Sequence, residues 1–99
     1  MSNLLLMFSQ FDEEIEGVRE YLKCASEAEN DAELATAYNT MAKAEYEHAK
    51  TLNALIAKKL KNEMDAEEAK DVLTGYLKER QEESMEDLVK AKMLLDMAK

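Results

Sequence analysis

The chain has no proline, no tryptophan, two glycines, one cysteine and one histidine among its 99 residues. Each scarcity excludes something. With no proline-rich or Gly/Ser-rich stretch there is no linker, so residues 1–99 read as one domain. The single Cys24 cannot close an internal disulfide, and on a helix it reads as a small packing residue. Long apolar runs are missing too. The opening MSNLLLMFSQ lacks a basic leader region, and its apolar run is far too short for a signal peptide or a membrane span, so the expectation is a cytoplasmic protein. Positive charge is scarce: 13 bases against 22 acids leave a net charge of −9. That balance opposes binding to nucleic-acid phosphates and to anionic membrane surfaces, and makes cations, metal ions included, the natural partners.

What the chain does contain is alanine, glutamate, lysine, leucine and methionine, the composition of an all-α protein. A helical chain this short buries a limited share of its surface alone, so pairing with another copy is expected. Apolar residues recur at Leu4, Phe8, Phe11, Ile15, Val18, Leu22 and Ala25 in steps of four and three, which predicts a helix from about residue 3 to about 28. Asn30, with Glu33 three residues on, is the expected cap of a second helix after a tight turn. That helix carries the row Leu34, Tyr38, Met41, Glu45, His48, Leu52 and Leu55, and the two form an antiparallel hairpin over about 3–61. Lysines 58, 59 and 61 complement its C-terminal end.

A C-terminal helical segment follows over about 65–98, with Asp65 and Glu68 as its capping pair and Ala69, Leu73, Tyr76 and Leu77 along its first turns. The polar run KERQEES leaves one kinked helix or two open, because Ser84 and Asp87 offer a fresh cap. Met64, Met85, Met93 and Met97 read as gap fillers between helices.

The only histidine lies three residues after a glutamate, in AEYEHA. Alone the pair means little: with 16 glutamates in 99 residues, coincidence has odds of about one in six. Its position means more. Glu45 and His48 fall in the row expected to be buried, where ionisable groups need a charge partner or a cation. On the first helix Met7, Glu14, Tyr21 and Ala28 mark the edge of the apolar stripe, and Glu14 is its one acid. Residues 14 and 45 lie at similar distances from the turn, so Glu14, Glu45 and His48 should meet at one height. Two carboxylates and an imidazole suit Fe(II), Mn(II) or Zn(II). They form half of a dinuclear carboxylate site, and with no second histidine the other half must come from a second copy related by a two-fold axis.

The stretch EEIEGVREYLKCASEAENDAELATAYNTMAKAEYEHAKTLNALI, residues 13–56, resembles the first two helices of the ferritin-like superfamily, in particular rubrerythrin-like proteins and encapsulated ferritins. The match lies in a glutamate seven residues before a tyrosine, an acidic turn, and then ELA, MA, E, HA and L in register. This resemblance implies a ferritin-like hairpin that completes a four-helix bundle by dimerisation. It implies Glu14 as the first-helix ligand, Glu45 as the glutamate bridging two irons, His48 as the terminal imidazole and Tyr21 as the tyrosine near the site. The implied activity is ferroxidase oxidation of Fe(II) at a centre of two irons per dimer. Tyr21 then serves as a hydrogen-bond partner or local reductant, or simply as packing. Glu13 and Glu16 match acids that can line a metal approach path, or else form a solvated face.

The departures are specific. There is no second Glu-x-x-His and no cysteine pair for a rubredoxin-like domain, so peroxide reduction by that route lacks support. The C-terminal part is longer than the short third helix of encapsulated ferritins. No tethered tail of the kind that addresses cargo to an encapsulin-type shell is visible, and such a shell stays open as a partner. Two other readings stand beside the enzyme. One is a helical scaffold in which Glu45 and His48 satisfy each other or bond Lys43 or Lys50, and the other is a non-redox Zn or Mn site.

Overall fold

The structure, a computed structural model, describes residues 2–28, 30–65 and 72–98. They form three helices: α1 (Ser2–Glu27), α2 (Ala32–Asp65) and α3 (Val72–Met97). No strand occurs among the described residues, and the all-α architecture is consistent with a ferritin-like fold. The molecule measures 57 × 19 × 16 Å, a length set by the 34 residues of α2 at about 1.5 Å each.

On α1, Leu4, Phe8, Phe11, Ile15, Val18 and Ala25 are buried and Leu22 packs against them, so the four-three row of large apolar residues is the core stripe of the hairpin. The turn differs by one residue from the expected cap. Asp31, and not Asn30, closes the start of α2, because its Oδ1 accepts from the Leu34 amide at 3.0 Å.

The buried face of α2 is also displaced from the row expected. Ala42, Ala49 and Ile56, spaced by seven, form the buried seam, with Leu60 beyond them. Leu34, Met41 and Leu55 are exposed. Alanine carries little apolar area, so it hardly registers in a hydropathy pattern, yet its small side chain lets two backbones approach closely.

The C-terminal helix is continuous through KERQEES. Ser84 does not start a new helix: it is fully buried in mid-α3, donating to the Arg80 carbonyl at 3.0 Å and accepting from Arg80 Nη1 at 3.1 Å. Arg80 also lies over the Phe8 ring, 5.3 Å from its centroid, and pairs with Asp12, so one side chain ties α3 to α1. Leu77, Ser84, Ala91 and Leu95 face inward. Met85, Met93 and Met97 do not fill gaps; with Val89 they are exposed. Asp65 closes α2, while Glu68 and Ala69 lie outside the described residues. Among the described residues no helix is long and apolar enough to cross a membrane.

Candidate metal centre

Helix α1 presents Glu14 on the edge of its buried stripe, and α2 presents Glu45 and His48 one turn apart on the flank beside it. The hairpin brings the three side chains together. His48 Nδ1 lies 3.3 Å from Glu14 Oε2 and 3.6 Å from Glu45 Oε1. One donor atom from each residue falls within 4.8 Å of the others, a spread that one cation could draw together.

Burial is uneven and differs from the sequence reading. Glu14 and Glu45 keep 25% and 27% of their side-chain area exposed, but His48 keeps 60%. His48 therefore lies outside the buried seam, in the exposed row Leu34, Met41, His48 and Leu55 that repeats every seven residues. The imidazole stands at the surface of a single chain, against the carboxylates of Glu14 and Glu45.

Two carboxylates at close quarters resist ionising together. The Glu45 carboxyl is pushed above its ordinary value, first by loss of water around it and then by its hydrogen bond with Glu14 and the charge there, with His48 pulling the other way. A divalent cation would relieve the same repulsion.

A glycine completes the arrangement, and the sequence reading passed over it. Gly17 lies one turn beyond Glu14, and a Cβ built on it would overlap Glu45 Oε2 and lie 3.2 Å from both Glu45 Cδ and Cγ. The available signal was a glycine in the interior of a helix three residues after the one acid on the stripe edge.

Tyr21 stacks on Tyr38, ring centroids 6.2 Å apart and 27° between planes. It lines a shallow groove with Glu14, Gly17 and Glu45, and Glu13, Glu16 and Cys24 border the same groove. Lys43 and Lys50 instead line a separate groove between α2 and α3, with Lys92 and Asp96. The partners that Glu45 and His48 have in this structure are each other and Glu14.

Two half-buried carboxylates crowded against one exposed imidazole fit a first-row divalent metal. No curated protein and no solved structure matches the chain. The family model described as Rubrerythrin matches residues 6–97, a span that includes Glu14, Glu45 and His48 and nearly the whole of each helix, and the chain belongs to the rubrerythrin family.

Proposed function

We propose that the chain is a ferroxidase-like protein that oxidises Fe(II) at a di-iron centre formed between two copies. The observation that carries this reading is where the half-site lies. Glu14, Glu45 and His48 lie together at the surface, and His48 shares its exposed row on α2 with Leu34, Met41 and Leu55. A second copy laid on that flank about a two-fold axis covers the apolar row and sets a second Glu14–Glu45–His48 group against the first. Four carboxylates and two imidazoles then surround two cations, the donor count of a bundle di-iron site.

Fe(II) is the substrate in this reading. Two Fe(II) ions give up one electron each, and dioxygen takes both with two protons to leave two Fe(III) and hydrogen peroxide. The chain's residues do three things. Glu14 and Glu45 supply anionic oxygen, which favours Fe(III) over Fe(II) because it offsets the added positive charge. His48 supplies an imidazole nitrogen, its Nδ1 lying 3.3 Å and 3.6 Å from the two carboxylates. The apolar row around His48, once covered, would exclude bulk water. Glu13 and Glu16, exposed beside the groove, offer cations an approach path.

Anaerobic Fe(II) titration, native mass measurement and then exposure to oxygen test the proposal. The expected result is one iron per chain and two per dimer, with oxygen consumed on exposure and both signals lost in Glu45→Ala and His48→Ala. A protein that binds no stoichiometric iron, and whose oligomeric state ignores both substitutions, is a scaffold instead. Zinc or manganese bound in preference to iron, without oxygen consumption, makes the site non-redox.

A further inference from the structure

Gly17 lies well inside α1, where an interior glycine is less favourable than alanine. Its backbone does not call for glycine, since no described glycine has a positive φ. What glycine supplies here is room. A Cβ at position 17 would overlap Glu45 Oε2 and crowd Glu45 Cδ and Cγ at 3.2 Å. Gly75 provides the contrast, because a Cβ added there meets nothing within 4 Å.

We infer that Gly17 is a positioning residue for the Glu14–Glu45–His48 centre: its missing side chain leaves a notch in α1 that seats the Glu45 carboxylate beside Glu14. The inference rests on the metal-binding reading above. Glu14, Gly17 and Tyr21 follow one another at steps of three and four, so the notch lies on the same edge as the first-helix donor, one turn along. Glu45 reaches it from the opposite helix. Any side chain at 17 would displace the end of a flexible glutamate, which moves easily, and not backbone, which does not. The hairpin would therefore survive the substitution while the distance between the two carboxylates would not.

This gives stability and affinity opposite signs. Gly17→Ala should keep or raise the Tm of the metal-free protein, because alanine favours the helix, yet weaken Mn(II) binding about 10–100-fold, the usual effect of losing support around a ligand. Gly75→Ala should raise Tm and leave Mn(II) affinity unchanged. Glu45→Asp, one methylene shorter, should recover part of the loss when combined with Gly17→Ala, beyond what the two single variants predict together.

Mn(II) alone is the probe, titrated by calorimetry, with thermal unfolding of each metal-free variant and an NMR search for a Gly17 Hα to Glu45 Hγ contact in metal-free wild type. The contact, the affinity loss without a fall in Tm, and the partial rescue support the inference. Wild-type affinity in Gly17→Ala overturns it, as does absence of the contact. A fall in Tm that accompanies the affinity loss also overturns it, by making Gly17 a packing residue. Failure of the wild type to bind Mn(II) counts against the metal reading instead, and the NMR contact then still decides whether Gly17 seats Glu45.

Discussion

At the scale of single residues, Glu45 carries a conflict that the fold tolerates. Its folded-state pKa lies above the ordinary glutamate value, from burial first and then from Glu14 on α1, with His48 on its own helix opposing. Between the ordinary value and the raised one, the native chain holds a proton that the unfolded chain has released, so metal-free stability falls as pH rises through that window. The penalty is fully present above the raised value. Glu45→Gln has no charge to desolvate, so above that window it should be more stable than wild type and lose this slope, while binding no metal. Thermal unfolding over a pH series rising from the ordinary glutamate range checks this, and a Gln variant less stable than wild type at the upper end would contradict it. Glu14, Glu45 and His48 could be brought together by counting positions from the turn, because helical rise and periodicity are constant. Gly17 could not, because the demand on it comes from a side chain on another helix.

At the scale of elements, legibility followed the size of the apolar side chains. The core row of α1 is made of Leu, Phe, Ile and Val, and its pattern identifies its buried face. On α2 the buried seam is largely alanine, so the large residues Leu34, Met41 and Leu55 drew the sequence reading to the flank. In α3 a buried serine and an arginine at 14% exposure hold the inner face, and a polar run that looked like a break is an anchor. Arg80→Met keeps a flexible apolar stem but removes the guanidinium and with it the bonds to Asp12 and to the Ser84 hydroxyl. The expected outcome is faster amide hydrogen exchange across α3, with α1 and the α1-facing part of α2 little changed. Uniform acceleration over all three helices would show that α3 is not docked through this residue.

At the scale of the whole molecule, the exposed row on α2 is the surface on which the proposed pairing depends. Met41→Lys with Leu55→Lys leaves all three donors in place and sets like charges into that row. The doubly substituted chain should run as a monomer by native mass and lose stoichiometric Fe(II) binding; a monomer that binds iron as the wild type does would show that one half-site suffices. The amino-acid sequence by itself determined an all-α hairpin, its approximate turn and the meeting of Glu14, Glu45 and His48, because periodicity, composition and register from a turn are local properties of the chain. Only the tertiary structure decided which face of α2 is buried, that α3 is one helix anchored through Arg80, that His48 stands at the surface, and that Gly17 makes room for Glu45. Those depend on how closely two backbones approach and which side chain fills the space between them, and no single segment of the chain contains that distance.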